Sequence, residues 1–312
     1  MYPIKFKNIY YEKVWGGRDL ERFRENLPDG NIGESWDIAC HENGTGIVGN
    51  GYLKGKTFKE LIKDYSKEIF GHTIVNETFP LLVKLINSRE NLSVQVHPND
   101  EYAKKYENSL GKTEVWYVID ADENAELIVG TNGCTKKEFE IAIEDGKVEE
   151  CLNKIKVKKG DAFLIKSGLV HSICTGIIIA EIQQNSDITY RVYDYGRDRE
   201  IHVEKSLDVI DFNLKVEEAC ENYKDYLDYK YTNIFTTDYF GVDKCIVTNS
   251  YKNKGNLKNF EIFTCVDGEG KIEGEGFSEV IKKGDSFLIP ATIKEYEVSG
   301  NLEILISYPL KF

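Results

Sequence analysis

The run Lys158-Lys159-Gly160-Asp161-Ala162-Phe163-Leu164-Ile165-Lys166 recurs later in the chain as Lys282-Lys283-Gly284-Asp285-Ser286-Phe287-Leu288-Ile289-Pro290. A glycine–aspartate turn feeding a short apolar strand is one supersecondary unit, so its return predicts two copies of a single β-rich design. Upstream of each copy lies a comparable run, Glu114 to Asp120 and Glu261 to Asp267. The copies differ in their chemistry. The position matching His171 is Glu295, and the second copy contains no histidine. The second copy is therefore expected to keep the fold without a metal. At 312 residues, 41% of them hydrophobic, the chain is long enough for one large domain or two small ones, with ample apolar content for a sizeable core.

The stretch Leu92-Ser93-Val94-Gln95-Val96-His97-Pro98-Asn99-Asp100 carries the most unusual pattern. Read with period two, Ser93, Gln95 and His97 fall on one face of a strand and Val94 and Val96 on the other. Pro98, which has no N–H for a ladder, ends it. A buried hydroxyl, amide and imidazole each need a partner, which a metal ion and a phosphorylated ligand would supply. The alternative is an edge strand whose polar face meets water. In the run from Lys112 to Ile119, Lys112, Glu114 and Trp116 share one face, and the turn after Lys166 delivers His171.

Elsewhere, Thr57 with Glu60 makes a capping box for a helix reaching about Phe70, with Gly71 as its stop. Leu81 to Asn87 and the Gln95 stretch read as neighbouring strands, and Glu101 to Tyr106 as a helical turn. Lys136 to Lys154 reads as a helical excursion, and Ile177 to Gln183 as a strand. The acidic, tyrosine-rich segment from Lys215 to Tyr231 reads as a connection or a surface helix.

Fifty-three acidic residues against 40 basic ones give a formal charge of −13, which disfavours nucleic acid and anionic membranes as partners. A phosphorylated substrate would need local cations, and Lys84, Lys112 and Arg191 lie close to the polar stripes. The seven cysteines are scattered without a C-x-x-C pair, which speaks against a cysteine zinc site and for buried thiols in a reducing compartment. With no membrane-length apolar run and no signal-peptide pattern at the start, the expected location is the cytoplasm.

Glycine–aspartate turns, short strands and a late histidine are similar to the cupin barrel, a double-sheet jelly roll. The expected class is mainly β, with two such domains and small helical insertions: residues 1–213 catalytic and metal-binding, residues 214–312 metal-free. Gly160 to His171 keeps the spacing of a second cupin motif with Lys166 in place of proline, and only the later copy has the proline, Pro290. The first motif departs further, because Gln95 and His97 are followed by Glu114 only after a long gap.

That departure resembles the class I mannose-6-phosphate isomerases. The likeness spans Gly33-Glu34-Ser35-Trp36, Ser93 to Asn99, Lys112-Thr113-Glu114, His171 and Glu181 to Arg191. The resemblance implies one zinc per chain held by Gln95, His97, Glu114 and His171, a donor set that suits zinc apart from the less usual glutamine. It also implies reversible conversion of mannose 6-phosphate to fructose 6-phosphate through an enediol, in a monomer or homodimer. Arg191 and Lys112 are carried over as catalytic cations, and Lys84 and Ser93 as substrate contacts. Glu181, Asp187, Lys112 and a metal-bound water all remain open as the base. His41, His72 and His202 match none of these motifs and read as structural. The rival readings are a metal-stabilised sugar or storage binder and an iron oxygenase, which needs only two histidines and a carboxylate.

Overall fold

The computed structural model describes residues 1–72, 79–253 and 259–310. Two sheets face each other in the first half of the chain. The seven-stranded sheet runs, edge to edge, Glu217–Glu218, Ala162–Ile165, Glu114–Ala121, Ile177–Gln184, Leu81–Ser88, Ile32–Ile38 and Ile9–Gly17. The five-stranded sheet runs Leu152–Lys156, Glu126–Thr131, His171–Ile173, Val94–Val96 and Tyr190–Tyr193. Trp116, Val118, Phe163 and Ile179 from the first meet Leu127, Val129 and Ile173 from the second in one apolar layer. This is the expected mainly β, cupin-like sandwich.

The larger sheet is buried on both faces, which is why Leu81–Ser88 and Ile177–Gln184 are buried along their whole lengths. Its outer face, including Val83, Leu85, Tyr117 and Ile182, packs on Phe240, Ile262, Leu288 and Leu305 of the second half and on Phe58 and Leu61 of a helix. That helix, Phe58–Phe70, has the Thr57 capping box at its start and Gly71 at φ 81° as its stop, as expected. On the outside of the five-stranded sheet, its own Val94 and Val96 pack against Phe139, Val148 and Leu207.

The second half builds a ten-stranded sheet whose internal register repeats the first. Glu114 pairs with Ile165 in one copy and Glu261 with Ile289 in the other. The turns match bond for bond: Lys158 N–H donates to Asp161 Oδ2 at 2.8 Å, and Lys282 N–H to Asp285 Oδ2 at 3.2 Å. Gly160 and Gly284 hold φ of 96° and 88°, where a side chain would be strained. Hydrogen bonding crosses between the halves, because Ile4–Lys7 pairs with Ser286–Ile289 and Glu217–Glu218 with the strand Ala162–Ile165.

Four readings are corrected. Leu81–Ser88 and Val94–Val96 are not neighbours but lie in opposite sheets, since the intervening turn carries the chain across the sandwich. The helical excursion stops early: Lys136–Glu144 is helix, Val148–Cys151 a single 3-10 turn, and Leu152–Lys156 already a strand. Of the two readings for Lys215 to Tyr231, the connection stands and the surface helix does not: the segment holds two short strands, Glu217–Glu218 and Lys224–Asp225, drawn out by pairing at sheet edges, and runs into Tyr229–Thr236. Not every thiol is buried, for Cys220 is exposed and Cys40, Cys134 and Cys151 are half-buried, all unbridged. Among the described residues no helix is long and apolar enough to cross a membrane.

An ionic cluster seals the seam between the halves. Asp37 accepts from Arg24 at 2.6 Å, Ser35 at 2.8 Å, Asn8 at 2.7 Å and Ser286 of the second copy at 3.0 Å. Both charged side chains are almost fully buried, so removing one strands the other. Asp37→Ala is expected to lower unfolding free energy by roughly 3 kcal/mol or more in urea titrations. A loss under about 1 kcal/mol would mean that water reaches Arg24.

Candidate active site

The site is made of two rows of side chains that face each other across the sandwich. In the larger sheet, register places Trp36, Lys84, Glu181 and Trp116 side by side on four adjacent strands. In the smaller sheet, His171, Gln95 and Arg191 are likewise cross-strand neighbours. Between them opens a cavity of about 320 Å³, lined by Lys13, Glu34, Lys84, Ser93, Gln95, Lys112, Glu181, Asp187, Arg191 and Arg199 among others.

The period-two reading of the Gln95 strand holds: Ser93, Gln95 and His97 face the interior and the valines pack outward. Hydrogen bonds fix the loop after Pro98. Asn99 caps the helix Asp100–Tyr106, and Asp100 Oδ1 accepts from Gly111 N–H at 2.8 Å. A Cβ on Gly111 would lie 2.4 Å from the Asp100 nitrogen, so only glycine permits this approach. Lys112 N–H then donates to Pro98 O at 3.0 Å, and Thr113 N–H to Gln184 Oε1 at 2.9 Å. These bonds deliver Lys112 and Glu114 beneath the cavity.

His97, Glu114 and His171 form a buried group whose ligand atoms lie within 4.8 Å of one another. Glu114 Oε1 is 3.7 Å from His97 Nε2 and 3.6 Å from His171 Nε2. Each ring's Nδ1 lies 2.8 Å from a backbone carbonyl, that of Ile188 for His97 and of Leu169 for His171. As Nδ1–H donors to these carbonyls, both imidazoles turn an Nε2 lone pair toward Glu114. His97 Nε2 and Glu114 Oε1 are buried with no hydrogen-bond partner, while Glu114 Oε2 is taken by Lys112. Orphaned lone pairs converging on one point fit a bound cation, and nitrogen and oxygen donors of this kind suit zinc. Gln95 Nε2 stands 3.3 Å from His171 Nε2, and rotating its amide about the terminal torsion would present the oxygen instead.

Above this group runs a chain of alternating charge. Lys112 Nζ lies 2.8 Å from Glu114 Oε2 and 3.6 Å from Glu181 Oε1, and Lys84 Nζ is 3.4 Å from the same Glu181 oxygen. Glu181 Oε2 accepts from Trp116 Nε1 at 3.0 Å. Glu34 pairs with Lys13 at 3.0 Å and stands 4.0 Å from Lys84. Burial opposes charge on Lys112, but Glu114 and Glu181 outweigh it and hold the ammonium above its ordinary range. Burial likewise opposes charge on Glu114, yet Lys112 and the imidazoles hold its carboxyl well below the usual range. On Glu34, Lys84 and Lys13 overcome the burial penalty and bring the pKa to about 2.

Every candidate metal, substrate or catalytic residue read from the sequence is at or under this cavity. Asp187 is the most open of them; it accepts from Asn43 and faces His41 Nε2 at 3.6 Å. His41, read as structural, thus stands at the rim through Asp187. His202 braces the backbone of Arg191, donating its N–H to Arg191 O at 2.7 Å and accepting from Arg191 N–H at 3.2 Å. Lys13 and Arg199 escaped the sequence reading because neither sits in a patterned strand. Glu34 and Trp36 could have been found from the period-two spacing in Gly33-Glu34-Ser35-Trp36.

Comparison with known proteins agrees with this geometry. Residues 4–140 match the family model for the phosphomannose isomerase type I catalytic domain, and residues 230–309 that for the mannose-6-phosphate isomerase cupin domain. The mannose-6-phosphate isomerase ManA of Bacillus subtilis is 40% identical over 313 residues, covering 98% of both chains. The mannose-6-phosphate isomerase of Streptococcus mutans is 37% identical, again over 98% of both. The crystal structure of a Bacillus subtilis mannose 6-phosphate isomerase superposes with a TM-score of 0.92 at 36% identity, covering 99% of this chain and 100% of that one. Fold and site together define a cupin of the aldose–ketose isomerase class. Within that class, the chain belongs to the type I phosphomannose isomerases.

Burial, with the Lys112 charge beside it, pushes the His97 imidazole down to about 4, and burial lowers His171 as well. Between the ordinary value near 6.5 and that lowered value, the unfolded chain takes up the protons first. Stability of the chelator-treated protein is therefore fully present above about pH 6.5 and declines as pH falls toward 4. Urea midpoints measured across this range should show the slope, and His97→Asn should reduce it. A flat profile from pH 7 to 5 would contradict the assignment.

Proposed function

We propose that this chain interconverts mannose 6-phosphate and fructose 6-phosphate at a single zinc held by His97, Glu114, His171 and Gln95. Residues 1–213 carry the chemistry, and residues 214–312 form a metal-free companion that braces them. The carrying observation is Lys112, shared between Glu114 of the ligand group and Glu181 of the cavity wall. An aldose–ketose isomerase needs a carboxylate and a cation beside a carbonyl-polarising centre, and this junction brings all three together. An iron oxygenase or a passive sugar binder has no use for two lysines buried against one glutamate.

When bound, the zinc supplies Lewis acidity at the carbonyl oxygen of the open-chain sugar. Glu181 is proposed as the base. Its Oε2 is fixed by Trp116, while Oε1 has no hydrogen-bond partner and lies near the two ammonium groups by charge attraction alone. It takes the proton from C2 of the aldose and returns one to C1, while the hydroxyl proton passes from O2 to O1, leaving the ketose carbonyl at C2 and a hydroxyl at C1. The ammonium of Lys112 offers hydrogen bonds to the charge that develops on the enediol oxygens. Arg191, whose Nε is buried without a partner, adds a second fixed cation. Lys84 holds Glu181 in place, the Ser93 hydroxyl is placed to contact the sugar, and Asp187 with His41 closes the rim.

The zinc-loaded protein should convert mannose 6-phosphate to fructose 6-phosphate in a coupled assay; no conversion would end the functional reading. His171→Ala should lose zinc by elemental analysis while keeping its folded circular-dichroism spectrum. Glu181→Gln should lower kcat at least about a hundredfold with zinc content unchanged and abolish exchange of the C2 proton. Asp187→Asn abolishing that exchange while Glu181→Gln retains it would move the base to Asp187. Arg191→Ala should lower kcat roughly a hundredfold. A rise in KM alone would reassign Arg191 to phosphate binding.

A further inference from the structure

The cavity is lined by a second guanidinium to which the isomerisation chemistry assigns no part. Arg199 lines it together with Arg191, Thr189 and Ser93. Its side chain is fixed from behind by Asp194, which accepts from Arg199 Nε at 2.7 Å through Oδ2 and from Nη2 through Oδ1. This two-pronged grip leaves Nη1 without a hydrogen-bond partner among the described residues. Asp194 is itself only 2% exposed and also takes Arg197 Nη1 at 3.3 Å. Arg197 in turn donates to Asn91 O at 2.7 Å, which ties the clamp to the loop before Ser93.

A buried carboxylate is costly unless paired, and here its partners are two arginines within five residues of it. The geometry serves position rather than neutralisation alone. Arg191 has its Nη1 held by Glu200 O at 2.6 Å, and Arg199 is the charge that most disfavours its protonation after burial itself. A guanidinium fixed from behind, with Nη1 left over at the cavity wall, forms an acceptor for an anion, and such a fork suits phosphate. Glu181, Lys112 and Arg191 line the same cavity, so a sugar phosphate whose reacting carbons meet them has Arg199 as a further cation for its phosphate.

We infer that Asp194 is a positioning residue for phosphate recognition: it sets Arg199 at the cavity edge, where Arg199 binds the terminal phosphate of the substrate. The inference rests on the sugar-phosphate reading of the site. It goes beyond it in naming the element that decides phosphorylated over unphosphorylated sugar.

The test uses the zinc-loaded, full-length protein, with inorganic phosphate as a probe that needs no turnover. Asp194→Asn keeps the shape and removes the charge. It should raise KM for mannose 6-phosphate and Kd for phosphate, read by thermal shift, about tenfold each, with kcat within about twofold. Arg199→Gln, at a partly exposed position, should do the same. The double variant should be no worse than either single, because both changes remove one interaction. Asp194→Glu should recover part of the loss. Wild-type KM and phosphate Kd in Asp194→Asn would overturn the inference, as would a fall in Tm with both constants unchanged. Additive effects in the double variant would overturn it too. If the wild-type protein fails to isomerise mannose 6-phosphate but binds phosphate in an Asp194-dependent way, the functional reading falls and this one stands.

Discussion

Glu114 is a fully buried carboxylate with an ammonium on one side and two imidazoles on the other, and the rest of the site is arranged to make that tolerable. Taking an isolated carboxylate out of water is prohibitive, so the charge must be answered nearby. Lys112 answers it at 2.8 Å, which then buries Lys112. Glu181 stands against Lys112, Lys84 against Glu181, and Glu34 with Lys13 against Lys84. The sequence of opposite signs runs from the sandwich floor to the solvent rim. Each member sits on a strand or strand end of the same sheet, so its spacing is set by ladder register rather than by flexible loops.

Such a row can exist only where the backbone beneath it is immobile. The larger sheet is held from behind by the second copy of the fold, through Tyr117, Val83 and Leu85 against Phe240, Ile262 and Leu305. The second copy repeats the hydrogen bonds of the first but not its chemistry. Glu261, which matches Glu114 in register, accepts from Tyr296 at 2.7 Å, and burial raises its pKa to about 7. Glu295, in the place of His171, is exposed. Its Gly284-Asp285-Ser286 turn instead docks on Asp37, one residue from Trp36 in the cavity wall. The charged cavity thus lies in the first copy, and the second packs behind its sheet.

The parts of the site that could be read in the sequence share a physical signature. Ser93, Gln95 and His97 alternate with valines, Lys112 and Glu114 share a strand face, and the Thr57 cap is local. Local rules fail where the partner is distant. The strands around Leu85 and Gln95 lie close in sequence but in opposite sheets, because crossing a sandwich needs only a short turn. Leu152–Lys156 has a sequence compatible with the end of a helix, yet the exposed edge of Glu126–Thr131 captures it as a strand. The residues from Lys215 pair at edges for the same reason.

The sequence alone determined the repeat, the strand faces and the identity of the donor atoms, since period, turn chemistry and side-chain type are properties of neighbouring residues. Its patterning placed His97, Glu114 and His171 on separate stripes, and only the family resemblance implied that they converge. Only the tertiary structure decided that Glu114 faces both imidazoles, that Lys112 lies between two carboxylates, that Lys13 and Arg199 reach the cavity, and that His41 stands behind Asp187. Those facts depend on which strands pair and at what register, and on the burial that results. A lysine's protonation is set by the carboxylates packed around it, and these come from strands far apart in the chain.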